Sequence, residues 1–349
     1  MSEAADHVSS SMSSNVAFLF AGQGAQAVGM GKDLYEAYPA ARAIYDRAAA
    51  AIQAGPGPFD LLRISFEGPE EELRRTDVSQ PAIVVCSLAA LAALESELYG
   101  WSAADAAELG GKLPPVGAAA GLSLGEYSPL CFAGALSLED TLRLVIARGR
   151  HMQTCCEREP SGMTSLLGLA AADLGPALEA GRALGVVGIA NDNAPAQVVL
   201  SGARAALDAA AEQAKGLGAK RAVPLNVAGA YHSTLMAPAG EALRADLERA
   251  AVRAPRVPVI SNVTAAPHEE DPAALRRRLV EQVSSTVRWR ETMAHMFGQL
   301  GIERCFEFGP GGVLKGLVRQ NDKSKSCTSV LTAADVKAAA AELSSLVGA

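Results

Sequence analysis

The chain has 349 residues, 49% of them apolar and 20% charged, and 38 acidic against 31 basic side chains leave a net charge of −7. Such a composition describes a globular protein able to bury a large core, with room for one big domain and a smaller inserted one. The acidic balance offers no basic face to nucleic acid or an anionic membrane, and charge, Gly or Pro interrupts the apolar runs before membrane-spanning length, so neither partner is expected.

In chain order, residues 1–14 are rich in Ser and Ala, poor in apolar residues and free of arginine. They read as a disordered leader or the stub of a trimmed targeting peptide, which leaves cytoplasm or an organelle matrix (plastid or mitochondrion) as the compartment. Val16 to Phe20 is an apolar run of strand length that ends in the turn-rich Ala21-Gly22-Gln23-Gly24-Ala25-Gln26. A helical pattern covers 33–52, Gln80-Pro81 precedes a long apolar helix over 82–98, and 104–115 reads as a surface connection. Val116 to Ala120 is a short buried strand, followed by two helices through about Arg150. Strands alternating with helices predict an α/β fold with a mainly parallel sheet covered on both faces.

The character changes near Glu157-Arg158-Glu159-Pro160. Strand (163–169), helix (172–184), strand (186–190), strand (197–201), helix (203–217) and strand (221–225) then follow. The order βαββαβ is the split-βαβ, ferredoxin-like arrangement, compact enough to be inserted in a larger domain. After His232 the α/β pattern resumes, with strands at 257–260 and 304–308 and the turn Gly309-Pro310-Gly311-Gly312. Cys86, Cys131, Cys155, Cys156, Cys305 and Cys327 show no CxxC spacing with histidines, so no metal site is expected, and they read as buried thiols of a reducing compartment.

Gly121-Leu122-Ser123-Leu124-Gly125-Glu126-Tyr127 has the G-x-S-x-G spacing of a nucleophile elbow. In that motif a strand ends in a turn so tight that the serine backbone is strained and its hydroxyl exposed. Glycines two before and two after relieve the crowding. The Leu124 amide would then stand at a helix N-terminus, aimed where an oxyanion would form. The pattern alone equally fits a glycine-rich turn holding an ordinary serine; the strand before it and the apolar helix after it favour the elbow. The expected large domain is therefore α/β-hydrolase-like, built from 15–158 and 228–349, with 159–227 as the ferredoxin-like insert.

A serine hydroxyl needs a base to take its proton. Of the five histidines, His7 lies in the leader, His151 follows two arginines on a helix, His268 sits in a Pro/Glu/Asp loop and His295 is on a polar amphipathic helix. His232 stands at a strand-to-helix junction and a domain boundary, a place that faces a cleft more readily than a core; the alternative is a satisfied structural histidine. Arg148 lies amid Leu142, Leu144, Val145, Ile146 and Ala147, where an unpaired cation is costly, and its planar fork matches a carboxylate. The other reading of Arg148, which the residues alone favour, is a helix arginine reaching solvent or paired with Glu139 or Asp140.

The stretches 20–26, 121–127, 148–153, 191–197, 229–236 and 308–311 carry a resemblance. In order and spread they resemble the malonyl-CoA:acyl carrier protein transacylases, the acyltransferase family of fatty-acid and polyketide synthesis, from residue 16 to about 320. The resemblance implies Ser123 as nucleophile, His232 as general base, and the amides of Gln23 and Leu124 as oxyanion hole. It also implies Arg148 on the free carboxylate of the malonyl group, Gln80 positioning that arginine, and Asn193 near the mouth of the site. A backbone carbonyl at Arg288 would orient the histidine, giving a dyad that keeps the logic of the Ser-His-Asp template. Tyr231 resembles the aromatic that accompanies malonyl selectivity in polyketide relatives, where its ring would crowd a 2-methyl branch. Leu122 stands where many members carry histidine, Ala21 and Ala25 replace a common proline and serine, Gly312 replaces a frequent lysine, and Arg288 a glutamine; none is a reacting group.

The implied activity is a two-step transfer of malonyl from malonyl-CoA to the phosphopantetheine thiol of acyl carrier protein, by a monomer without cofactor. Loading of a polyketide carrier protein is an alternative. An esterase or thioesterase shares the elbow but expects an acid between serine and histidine and a histidine near the C-terminus. A non-catalytic scaffold that binds carrier protein is argued against by intact Ser123, His232 and Arg148.

Overall fold

The computed structural model describes residues 15–347 except 56, 103–104, 106–108 and 114–115; the leader and half of the expected surface connection lie outside the described residues. In chain order the strands are β1 (Val16–Phe20), β2 (Ala118–Gly121), β3 (Ser161–Leu167), β4 (Val187–Ala194), β5 (Gln197–Ala203), β6 (Arg221–Pro224), β7 (Arg304–Phe308) and β8 (Ser326–Val330). They form two four-stranded sheets, one parallel in the order β2-β1-β7-β8 and one antiparallel in the order β4-β5-β3-β6.

β1 is buried along its whole length, as expected of an unbroken apolar run at the centre of a sheet covered on both sides. Its residues alternate between two cores. Phe18 and Phe20 join Phe306, Phe308 and Phe132 on one face, with the Phe18 ring 5.0 Å from Phe308 and 5.3 Å from Phe132. Ala17 and Leu19 join Trp289, Met293, Leu314 and Leu317 on the other.

The long apolar helix runs over Thr76–Tyr99, starting before the expected 82 and carrying Pro81 inside it. By length and composition this helix could cross a membrane, contrary to the expectation that no apolar run reaches that length. It instead lies in the core, packed against the helices Pro39–Ala54, Leu138–Cys156 and Ala333–Val347. The single helix expected over 33–52 is two, Lys32–Ala37 and Pro39–Ala54, because Tyr38 is extended ahead of a proline. The strand expected at 257–260 shrinks to a bridge between Val259 and Ala119 of β2. Pro258 has no N–H with which to extend the ladder.

In the antiparallel sheet, the helices Gly175–Arg182 and Arg204–Gly216 cover one face through Leu178, Leu207 and Ala210. The helix expected over 172–184 begins as a 3-10 turn, Ala171–Leu174. β4 extends past the expected 190, with two register shifts, and so carries 191–193 towards the parallel part of the molecule. There Asp192 N–H donates to the Val287 carbonyl (3.0 Å), and Asp192 takes a two-pronged contact from Arg290. The cleft between the two sheets is therefore walled by β4 and β5 on one side and by the loops after β1 and β2 on the other. All six cysteines are unpaired thiols.

Phe18 is fully buried at the centre of the aromatic cluster. Phe18→Ala should therefore cost about 3–5 kcal/mol in urea unfolding, the usual range for emptying such a site. A loss below about 1 kcal/mol would show that this sheet face does not anchor the fold.

Candidate active site

Ser123 follows β2 directly and has φ 56°, a left-handed conformation that a non-glycine residue holds only when its surroundings impose it. What imposes it is backbone touching backbone. A Cβ on Gly121 would lie 1.9 Å from the Gly125 carbonyl oxygen, and one on Gly125 would lie 2.3 Å from that of Phe20. Asn262 fastens the turn, its Nδ2 donating to the Gly121 carbonyl (2.8 Å) and its Oδ1 accepting the Ser123 N–H (2.6 Å). A 3-10 turn, Ser123–Glu126, then leads into the helix Tyr127–Phe132, with Leu124 buried in its first residues. The turn has the form of the expected elbow.

His232 also has a left-handed backbone, φ 57°, in the segment between β6 and the helix Ala237–Arg249. Its Nε2 lies 2.6 Å from Ser123 Oγ. Its Nδ1 lies 2.9 Å from the Gln282 carbonyl oxygen and 3.1 Å from that of Ser285. Two carbonyl acceptors require the proton on Nδ1, so the Nε2 lone pair faces the serine hydroxyl. Burial and the nearby Arg148 cation hold the imidazole down to about 4, against the two carbonyls, which favour its charged form.

The orienting carbonyl is not at Arg288, as the resemblance implied. The helix Pro272–Gln282 ends beside the imidazole, and the carbonyl of its last residue, pointing out of the helix end, accepts from Nδ1. Arg288 lies beyond the turn that follows: its N–H donates to the Asn262 carbonyl, and its guanidinium pairs with Glu291.

Arg148, on the helix Leu138–Cys156, is 1% exposed. Its Nη1 donates to Gln80 Oε1 (2.9 Å), and its Nη2 donates to Gln282 Oε1 (3.1 Å) and Ser123 Oγ (3.2 Å). The guanidinium also stands 5.9 Å from the centre of the Tyr127 ring. Neither alternative for this arginine holds: it is not at the surface, Glu139 pairs with Arg47, and Asp140 pairs with Arg143. Gln80, fully buried, also approaches Gln23 and the Met152 sulfur.

A cavity of about 250 Å3 opens onto these groups, lined by Gln23, Ser123, Met152, Asn193, Tyr231 and His232. The Tyr231 hydroxyl is fixed 2.7 Å from Thr76 Oγ1. Asn193 Oδ1 is buried and has no partner among the described residues, which leaves it free for a donor in the cavity. The structure thus gathers Gln23, Gln80, Ser123, Leu124, Arg148, Asn193, Tyr231 and His232 around one cleft, and excludes Arg288 from it.

Four further residues complete the site. Gln282 touches Ser123, Arg148 and Glu126 through its side chain and His232 through its carbonyl. Glu126, fully buried, accepts from Gln282 Nε2 (2.9 Å), the Asn262 N–H (3.1 Å) and His268 Nε2 (2.7 Å). The signals were present: Glu126 belongs to the elbow motif, Asn262 follows the apolar run 257–260, and Gln282 ends a helix among Leu279, Val280 and Val283. His268 gave no such signal, since Pro267, Glu269, Glu270 and Asp271 around it look like a solvated loop.

Chemically, the arrangement can strip a proton from Ser123 on one side and hold an anionic group beside the same hydroxyl on the other. A sequence profile of the acyl transferase domain matches residues 17–339. The malonyl CoA-acyl carrier protein transacylase of Bacillus subtilis is 39% identical over 308 residues, 88% of this chain and 90% of that protein. The crystal structure of the acyl-carrier-protein-S-malonyltransferase from Bartonella henselae, 40% identical, has a TM-score of 0.85 and covers 94% of this chain and 99% of that one. A malonyl-transacylase in complex with its type II PKS acyl-carrier protein has a TM-score of 0.85 at 33% identity, covering 94% and 99%.

With its pKa held down to about 4, the His232 ring should stay neutral through the range where a free imidazole titrates near 6.5. In that window the unfolded chain binds a proton that the folded chain refuses, so His232 stabilises the fold above pH 6.5 and this contribution is lost as pH falls towards 4. Ring chemical shifts of His232 followed by NMR test this; a midpoint near 6.5 would contradict it.

Proposed function

The chain belongs to the acyl transferase domain family, and from that premise we propose that it moves a malonyl group from malonyl-CoA to the phosphopantetheine thiol of acyl carrier protein through an ester on Ser123. The observation that carries this reading is a serine hydroxyl set between a neutral imidazole at 2.6 Å and a buried guanidinium at 3.2 Å.

In the first step Ser123 Oγ attacks the thioester carbonyl while His232 Nε2 takes its proton; the C–S bond then breaks and the proton passes to the CoA sulfur. In the second step the pantetheine thiol gives its proton to His232, its sulfur attacks the ester, and Ser123 Oγ leaves with that proton. The Gln23 and Leu124 amides receive the oxyanion of both tetrahedral intermediates. Every proton is accounted for by His232, so the chemistry calls on no cofactor or metal, and one chain supplies all the groups. The carbonyls of Gln282 and Ser285 replace the acid of a Ser-His-Asp triad: they fix the tautomer and stabilise the transient imidazolium.

Arg148 selects the acyl group. A malonyl carboxylate meets its fork with charge-assisted bonds, whereas acetyl leaves a buried cation facing an apolar methyl. Tyr231, pinned by Thr76, crowds the carbon between the carboxylate and the thioester carbonyl and disfavours a 2-methyl branch. Asn193 offers its free oxygen to the pantetheine amides at the mouth. A polyketide carrier protein is a second possible acceptor, supported by the likeness to the PKS transacylase complex. We read 15–158 with 228–349 as an α/β-hydrolase-like domain, supported by the parallel sheet with its elbow after β2, and 159–227 as a ferredoxin-like insert, supported by its βαββαβ order and antiparallel pairing.

Intact-protein mass spectrometry after mixing with malonyl-CoA should show one added malonyl group, and Ser123→Ala should show none while melting like the parent. An adduct on that variant would move the nucleophile elsewhere. Arg148→Ala should lower the ratio of kcat/KM for malonyl-CoA over acetyl-CoA by roughly ten- to a hundredfold, the worth of a charged hydrogen-bond pair. An unchanged ratio would remove Arg148 from acyl selection.

A further inference from the structure

Arg148 is a buried cation with no ion pair to any carboxylate among the described residues. Burial pushes its pKa down, and its interactions with Tyr127 and Glu126 partly oppose that. Glu126 reaches it through one intermediary: Gln282 Oε1 accepts from Arg148 Nη2 (3.1 Å), and Gln282 Nε2 donates to Glu126 Oε2 (2.9 Å). The same Nε2 donates to the Ser123 carbonyl (2.7 Å). Two acceptors on one side and a guanidinium on the other permit a single orientation of the amide. Glu126 in turn accepts from Gln282, the Asn262 N–H and His268, and its side chain and that of His268 are wholly shielded from solvent.

Resting on the reading of Arg148 as the acyl carboxylate's partner, we propose that Glu126 and Gln282 together set the selectivity of this site for carboxylate-bearing acyl groups. Glu126 supplies the counter-charge that a buried cation needs while the cleft is empty. A direct Glu126–Arg148 pair would occupy the fork and compete with the incoming carboxylate. Gln282 spaces the two by the length of an amide, which transmits the negative field and holds Nη2 towards Ser123 while leaving the fork replaceable. Glu126 is a positioning residue in this scheme, since it acts on the acyl group only through Gln282 and Arg148.

The two residues should move selectivity in opposite directions, which a loss of folding alone cannot do. Glu126→Gln keeps the shape and an acceptor for Gln282 while deleting the charge, so the substrate carboxylate becomes the nearest anion to Arg148. The malonyl-to-acetyl ratio of kcat/KM should rise roughly three- to tenfold, while any change in the imidazolium's stability affects both substrates and cancels. Gln282→Leu removes the amide that steers the guanidinium, and the same ratio should fall roughly tenfold. In an Arg148→Ala background neither substitution should change the ratio further. If Glu126→Gln does not fold, Gln282→Leu in the two backgrounds decides: a fall confined to the parent supports the proposal, and an equal fall in both overturns it. A ratio that collapses in Arg148→Ala yet stays fixed in Glu126→Gln and Gln282→Leu overturns this proposal alone. A ratio unmoved by Arg148→Ala overturns the reading of Arg148 and this proposal with it.

Discussion

A guanidinium buried against a serine hydroxyl, and held there by amides instead of a carboxylate, is the constraint around which this molecule is arranged. A charge in that position is expensive, and the usual remedy, a direct ion pair, would fill the fork that faces Ser123. The chain instead brings three elements to it: Gln80 from the long buried helix Thr76–Tyr99, Gln282 from the end of Pro272–Gln282, and the Tyr127 ring from the helix after the elbow. The same cation helps to keep His232 neutral, so one placement bears on both the serine hydroxyl and the imidazole beside it.

The fold makes this placement possible by bringing backbone close to backbone. β1 and β2 are adjacent parallel strands, and the loops at their C-terminal ends carry Gln23 and Ser123 to the same end of the sheet. Only glycine at 121 and 125 lets the strand, the elbow and the following helix approach so closely. The antiparallel sheet contributes the opposite wall through β4, which reaches the parallel part at Asp192 and Val287 and leaves Asn193 facing the cavity. His232 sits where the chain returns from that sheet, so the imidazole facing Ser123 is positioned at that return.

Reading the sequence reached the groups that local pattern dictates. The glycine spacing marked Ser123, and the strand-to-helix junction marked His232. Arg148 needed more than its helix, because a lone arginine among apolar residues reads more readily as a surface or surface-paired cation until its partners are known. Arg288 was misplaced because the orienting carbonyl belongs to whichever helix end packs beside the imidazole, and that is decided by tertiary packing. Glu126, Asn262 and Gln282 carry local signals and His268 sits in a loop that looks solvated, but only the folded chain shows that the four satisfy one another in the interior. Prolines explain two further differences, breaking the helix at Pro39 and cutting the strand at Pro258.

A crystal structure of the protein trapped with malonyl-CoA tests the central claim most directly. It should show a malonyl ester on Ser123 Oγ, its carboxylate gripped by both Nη atoms of Arg148 and its carbonyl oxygen against the amides of Gln23 and Leu124. An acyl group on another residue, or a malonyl carboxylate turned towards solvent with Arg148 still bound only to Gln80 and Gln282, would contradict it.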